Sequence, residues 1–377
     1  MSGHEVPIVW HGHSARAWMP DPLGARSFDL GVDSVRATER AAAGVRRVGD
    51  RIPQGYEPLA RLLLRAEGIA SSNIEGLRAP VAEIATAEVD AALAPAAAGW
   101  VADNLAVVDE ALDAAQKGGL LSILDLHGWH KRLMRHADAP AHLVGTFRDA
   151  QSWIGGRGPQ DAAYVPPPPD TINDLMHDLI AFVNGTELDP VTQAALTHAQ
   201  FETIHPYGDG NGRIGRLLVL WVLSRRLAVA VPPPASALIA RDPGGYLAGL
   251  YWFRIGETTR WVDWFAHVVA RSADASLDWA SEVDAVMASW HDRVADIRAD
   301  AAAHTLLALL PRYPVISADS RTAGLLRVTS SAARTALLDL EDRKILTRVA
   351  VPTAGPGRPR HWWIAQELAD LVGAWAG

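Results

Sequence analysis

Residues 217–223 read Leu-Leu-Val-Leu-Trp-Val-Leu, an apolar run with no polar face. A helix of this composition has to be covered on every side, so it predicts a segment at the centre of a sizeable core. It is far too short to cross a bilayer. The stretch before it is opposite in character: His205-Pro206-Tyr207-Gly208-Asp209-Gly210-Asn211-Gly212-Arg213-Ile214-Gly215-Arg216 holds a base, a carboxylate, an amide, two guanidiniums and four glycines. Together they read as a loop opening into a buried helix. Glycines let the backbone approach a ligand closely, and the free N–H groups of a helix start attract an anion. Arg213 and Arg216, three apart, share one face of the first turns. This is the make-up of a polyphosphate site, with His205 placed to handle a proton.

Gly210, Gly212 and Gly215 also fit the dinucleotide fingerprint G-x-G-x-x-G. That motif requires a preceding strand and an acidic residue about 20 positions later. Residues 192–201 are helical in pattern and no βαβ unit surrounds them, so a nicotinamide cofactor is set aside. The dodecamer as a whole resembles the signature of the Fic family, H-x-F-x-(D/E)-G-N-G-R-x-x-R. It departs at one position: Tyr207 stands where the family most often has Phe, which leaves the polar set intact.

The 377 residues suggest two or three domains, and a hydrophobic content of 49% supplies real cores. No cysteine occurs, which excludes disulfides, thiolate zinc sites and cysteine nucleophiles and suits a reducing cytoplasm, the expected location. The first residues show no basic stretch followed by a long apolar one, so neither secretion nor a membrane partner is expected. A net charge of −8 argues against a generic nucleic-acid binder.

The expected fold is mainly α: a helical core with a β-hairpin flap, followed by a C-terminal winged helix. Its regions are an N-terminal helical region over 1–115, a catalytic core over 116–275, a linker helix over 276–300 and the winged-helix-like domain over 301–377. Residues 1–50 mix Pro, Gly and Trp with charged helical stretches, and His11 and His13 read as surface histidines of an irregular arm. Residues 58–74 form a helix that buries Leu59, Leu62, Leu63, Ala66 and Ile69 on one face and ends at Gly76. Glu75 then sits at a helix C-terminus, where the dipole disfavours a carboxylate unless a cation answers it. The run from Ser71 to Gly76 resembles the Fic inhibitory motif (S/T)-x-x-x-E-(G/N), with Ser71, Glu75 and Gly76 in the required places.

Helices are further expected over 81–98, 101–116, 121–134, 171–184 and 190–204. His127 and His130 share a face of the 121–134 helix and read as partly buried surface, since no helical carboxylate pair accompanies them as metal ligands. Residues 145–156 and 164–169 suggest a hairpin with a Gly/Pro-rich turn that ends in a stiff polyproline stretch, similar to the Fic flap; Trp153, Ile154 and Gly155 would dock a target peptide by strand addition. Tyr246 is taken as an adenine neighbour, with simple core packing as the alternative. From residue 301 three helices and a hairpin over 345–364, turning through 353–360, resemble a winged helix, and nine basic side chains face six acidic ones there.

The resemblance implies a protein adenylyltransferase that uses ATP and Mg²⁺. His205 would take the proton of a target hydroxyl, Asp209 would hold the metal, and Asn211 with the backbone of Gly210 and Gly212 would cradle the phosphates. Arg213, Ile214, Gly215 and Arg216 would complete nucleotide contact, and Glu75 would restrain the enzyme by holding Arg216. The implied partner is a protein with a Ser, Thr or Tyr hydroxyl, this chain itself included, and a homodimer fits the family. Three alternatives stand beside this: a nucleic-acid-binding regulator that works through the C-terminal domain, a transferase with another donor such as UTP or CDP-choline, and a hydrolase that removes AMP.

Overall fold

The computed structural model describes residues 2–52, 57–137, 139–318, 320–351 and 360–377. Strands β1 (Gly3–Trp10) and β2 (His13–Pro20) open the chain as an antiparallel hairpin, in register from Gly3↔Pro20 to Trp10↔His13. Its turn is His11 (φ 46°) and Gly12 (φ 81°), both left-handed as a two-residue hairpin turn requires. The irregular arm expected here is therefore a regular hairpin. Pro7 is tolerated because a two-stranded ribbon leaves each strand with a free edge.

Helices follow in the order α1 (Val32–Arg51), α2 (Glu57–Ile74), α3 (Val81–Val89), α4 (Ala96–Gln116), α5 (Ile123–Leu133), α6 (Ile172–Asn184) and α7 (Pro190–Ile204). They continue as α8 (Asn211–Leu227), α9 (Ala235–Ile239), α10 (Pro243–Ile255) and α11 (Thr258–Arg293). α8 is the axis of the core: every residue from Arg213 to Ser224 is buried. α7, α4, α1, α2 and α5 surround it. α7 starts on an Asp189 cap, whose carboxylate accepts from the N–H groups of Val191 and Thr192 at 3.0 Å, with Pro190 in the first turn. α11 runs unbroken across residues 275–276, where the sequence suggested a change from core to linker.

The flap departs from the hairpin expected for it. Between residues 145 and 169 the only strand-like pairing is one antiparallel bridge, Ile154↔Tyr164. Gly155 and Gly156 turn the chain at once (φ 72° and 69°), and the Asp161 carboxylate takes the N–H groups of Arg157 and Gly158. The second leg, Pro166 to Pro169, has no N–H to give to a ladder.

At the C-terminal end come α12 (Ala302–Leu309), β3 (Val315–Ser317), α13 (Ser320–Leu326), α14 (Ser330–Asp342), β4 (Thr347–Val351), β5 (Arg360–Ile364) and α15 (Gln366–Ala376). The sheet is antiparallel in the order β3-β5-β4. The expected turn over 353–360 lies outside the described residues except for Arg360. α15 had no counterpart in the sequence reading. It packs back on α2 and α3, Trp375 stacks on Trp279 of α11 at 4.9 Å, and the Asn73 amide donates to the Ala376 carbonyl at 3.2 Å. Among the described residues no helix is long and apolar enough to cross a membrane.

Candidate active site

The site is the connection between α7 and α8. α7 ends on His205 in the left-handed region (φ 50°), a conformation that costs a non-glycine residue about 1–2 kcal/mol. Its N–H still donates to the Phe201 carbonyl at 2.8 Å. Tyr207, two residues on, is fully buried, stacked on His130 with ring centroids 3.9 Å apart, and its hydroxyl meets His127 Nδ1 at 3.2 Å. The hydroxyl that distinguishes Tyr207 from the usual Phe thus has a partner of its own. His130 Nδ1 accepts the Gly145 N–H at 2.9 Å, so its proton is on Nε2, which donates to the Asp209 carbonyl at 3.1 Å. These two histidines are wall residues of the loop, more specific in role than the partly buried surface expected of them.

Asn211 closes the loop on itself. Its Oδ1 accepts the Tyr207 N–H at 2.9 Å and its Nδ2 donates to the Tyr207 carbonyl at 2.8 Å. The sequence reading gave Asn211 to phosphate contact; in the structure its amide is bonded to both backbone groups of Tyr207 and shapes the loop. Gly210 (φ 75°) is the residue before the first turn of α8, and the Asp209 carboxylate accepts its N–H at 2.5 Å. The Asp209 side chain is otherwise open to solvent, 71% exposed and 4.0 Å from Arg213. Ile214 and Gly215, also expected on the nucleotide side, face away from it. Ile214 is in the core, and a Cβ at Gly215 would come within 2.4 Å of Glu202 Oε1, so this glycine is what lets α8 lie close to α7.

Arg216 is fully enclosed and has three bonds. Nε donates to Ser71 Oγ at 3.0 Å, and Nη2 donates to the Ser71 carbonyl at 2.8 Å and to Glu75 Oε1 at 2.7 Å. Gly76 (φ 77°) ends the turn that carries Glu75. The Glu75 carboxylate lies against the first turn of α8: a Cβ at Gly212 would be 2.0 Å from Glu75 Oε1 and 2.9 Å from Arg216 Nη1. An anion therefore already sits at the helix N-terminus, supplied by the turn that follows α2.

Burial sets the ionisation around this pair. His205 is lowered to about 4, chiefly by burial and further by the Arg148 charge, so its imidazole is neutral at neutral pH. Glu202, one turn earlier on α7, is raised to about 8 by burial, which the Arg216 charge opposes. His198 is lowered to about 3 by burial, and its Nε2 meets the Tyr246 hydroxyl at 2.9 Å. Burial alone would lower Arg216, but Glu75, Tyr246 and Glu202 outweigh it and the net shift is upward. Arg213 is lowered by burial. Tyr246 stands behind Arg216 with its ring against His198 and Trp264. Buried there, it backs the guanidinium, and the adenine contact expected of it has no exposed ring face to use.

Sequence reading brought His205, Asp209, Gly210, Gly212, Arg213, Arg216, Ser71, Glu75 and Gly76 to one place, and the structure assembles them there. Trp153, Ile154 and Gly155 lie on the flap, with Ile154 42% exposed and the Trp153 ring edge-on to Trp10 at 5.2 Å. Three residues were missed. Glu202 and His198 are four apart on α7, and only the packing of α7 on α8 turns them toward Arg216. Arg148 bonds to backbone carbonyls alone, which no motif records. Among the described residues no group of three or more His, Asp or Glu side chains forms a metal cage. A single open carboxylate suits a hard cation that keeps waters and shares phosphate oxygens.

A match to the Fic/DOC family covers residues 120–223. Protein adenylyltransferase Fic of Aedes aegypti is 33% identical over 112 residues, 29% of this chain and 21% of that protein. Protein adenylyltransferase fic-1 of Caenorhabditis elegans is 28% identical over 160 residues, 42% of this chain and 28% of that protein. The chain spans less than a third of the length of these curated relatives. Among solved structures, a Fic family protein from Desulfovibrio desulfuricans matches with a TM-score of 0.56 at 19% identity, over 89% of this chain and 97% of that one. A Fic domain containing signaling protein from Bacteroides thetaiotaomicron matches with 0.52 at 17% identity, over 65% of this chain and 97% of that one. At these identities what is shared is the fold.

Proposed function

We propose that this chain, whose residues 120–223 form a Fic domain, is a protein adenylyltransferase held in check by Glu75. The observation that carries this reading is the Glu75 carboxylate bonded to Arg216 against Gly212. A helix start with a buried guanidinium is an anion seat, and here an internal anion occupies it beside a neutral imidazole. Curated relatives over this segment are named protein adenylyltransferases, which supports the same chemistry.

On this reading His205 takes the proton of a Ser, Thr or Tyr hydroxyl as its oxygen bonds to the α-phosphorus of ATP. The bond from that phosphorus to the oxygen bridging the β-phosphate breaks, pyrophosphate leaves and AMP stays on the target. Arg213 and the backbone N–H groups at the start of α8 hold the β-phosphate, and Arg216 holds the γ-phosphate once Glu75 releases it. Asp209 would hold Mg²⁺, which when bound neutralises phosphate charge. Positioning and charge neutralisation are the main demands of such a transfer, and these residue types meet them.

We read the C-terminal unit as a winged helix from its order α12-β3-α13-α14-β4-β5. Two of its arginines are occupied: Arg343 bonds to Asp296 and Arg348 to Glu341, which weakens a nucleic-acid role. The test of the main reading is incubation of Glu75→Gly protein with labelled ATP, UTP or GTP, reading label on protein. Label from ATP in the α-position is expected. Label from UTP or GTP alone, or from none, overturns the assignment.

A further inference from the structure

Arg148 is 4% exposed, and among the described residues it pairs with no carboxylate. All its bonds go to main-chain carbonyls. Nε donates to His205 at 2.9 Å, Nη1 to Ala150 at 2.9 Å and Nη2 to Pro167 at 2.6 Å. Its own N–H donates to the Pro206 carbonyl at 2.9 Å. Burial lowers it to about 10, so it stays cationic at neutral pH.

Each acceptor has a physical reason to need this donor. The second leg of the flap is Pro166 to Pro169, which offers carbonyls but no N–H, so the two legs cannot zip into a ladder. A guanidinium carries five donors in a planar fork and can answer several carbonyls at once. His205 holds a left-handed backbone that needs outside support, and Arg148 Nε bonds the carbonyl of that same residue. One side chain therefore spans the first leg at Ala150, the second leg at Pro167 and the end of α7 at His205. The Gln151 amide on Pro166, at 2.8 Å, and the Tyr164 hydroxyl on Thr203, at 2.5 Å, lie to either side of it.

We propose that Arg148 is the positioning residue that makes the flap and His205 one rigid unit, so that a polypeptide target seated on the flap presents its hydroxyl to an imidazole already in place. The rate arm of this inference rests on the adenylyl-transfer reading; the coupling of the two segments does not. Lysine at 148 keeps the charge but has one donor centre where the fork has three nitrogens. Glutamine loses both charge and fork.

Arg148→Lys and Arg148→Gln are placed in the Glu75→Gly background, and three quantities are measured. Binding of a non-hydrolysable ATP analogue should stay within about two-fold, because no phosphate-facing residue is touched. The single-turnover rate of label transfer to the protein should fall at least about ten-fold for Gln and less for Lys. Hydrogen exchange should rise together at the amides of residues 150–154, of residues 163–165 and of His205 and Tyr207. Transfer within two-fold of the parent in the Gln variant, or exchange that rises in the flap alone, reduces Arg148 to a local brace and overturns the proposal. If the Gln variant does not fold, the Lys variant is read by the same criteria. If the Glu75→Gly parent transfers no label from ATP, the adenylyl-transfer reading fails on its own, and exchange still decides whether Arg148 couples the two segments.

Discussion

Glu75→Gly isolates the contact on which the regulatory reading depends. In the structure the Glu75 carboxylate and the Arg216 guanidinium meet at 2.7 Å, with side chains 37% and 2% exposed. Two unit charges about 4 Å apart in a half-wet site attract by about 4 kcal/mol. Desolvation of Arg216 and solvent screening at the open side of Glu75 leave on the order of 1–2 kcal/mol of that. Each 1.4 kcal/mol is a factor of ten, so freeing Arg216 for a γ-phosphate should raise automodification by roughly ten-fold or more. Glu75→Asp, one methylene shorter, should give an intermediate gain. Adding Arg216→Ala to Glu75→Gly should abolish the gain, since the released guanidinium is the group that binds. The assay is the initial rate of label incorporation from α-labelled ATP. A rate in Glu75→Gly equal to that of the parent would refute the reasoning and leave Glu75 as a helix-end acid.

The remaining expectations concern the chemistry, the flap and one buried acid. His205→Ala should remove AMP transfer, by about 10²–10⁴-fold, while calorimetry still detects nucleotide binding; near-parental transfer would remove His205 as the proton acceptor. Asp209→Ala, or EDTA on the parent, should silence the reaction, and full activity in EDTA would strip Asp209 of its metal. Trp153→Glu or Ile154→Glu should reduce labelling of a protein target more than nucleotide affinity. Glu202 is raised from 4.5 to about 8 by burial, so its contribution to stability is complete below pH 4.5 and is lost as pH rises through 8. Glu202→Gln should therefore gain stability relative to the parent at pH 8 compared with pH 5 in denaturant unfolding; a pH-independent difference would show that Glu202 is ionised in the fold.

What could be seen in the sequence followed from residue identity and short spacing. The apolar run at 217–223 announces a buried axis, Asp189-Pro190 announces the start of α7, and the glycines with Arg213 and Arg216 announce an anion site. Glu75 was legible as a carboxylate needing a cation, although its partner is 141 positions away in the chain. What could not be seen is carried by the backbone or by packing. Arg148 reads as an ordinary surface arginine because its partners are carbonyls. The first hairpin was hidden by Pro7 within a strand and by His11 at a left-handed turn position where Asn or Gly is the usual signal. The flap was over-read as a hairpin because two strand-like pieces flank a Gly/Pro-rich turn, while the prolines at its end, 166–169, forbid a ladder. Asn211 was given to the ligand because its type suits phosphate; only the tight turn at Tyr207 shows where its amide goes.

The bonds of Arg216 decide what kind of control Glu75 can exert. Of its three bonds, two go to Ser71, through the hydroxyl and the carbonyl, and one goes to Glu75. Tyr246 and the raised, largely neutral Glu202 lie behind it. When Glu75 leaves, the Ser71 bonds still aim the guanidinium, and a neutral Glu202 does not draw it away. The charge uncovered is then preorganised, with little reorganisation left for an incoming phosphate to drive. Ser71 and Glu75, four residues apart on one helix end, thus act in opposite senses on the same side chain: one orients it, the other occupies it. On the adenylyl-transfer reading, Ser71→Ala should lower transfer in the Glu75→Gly background, whereas Glu75→Gly raises it. Control then consists of covering a finished site, and a relieving signal needs only to swing the Glu75 carboxylate, just beyond the end of α2, away from Arg216 while Ser71 stays in place.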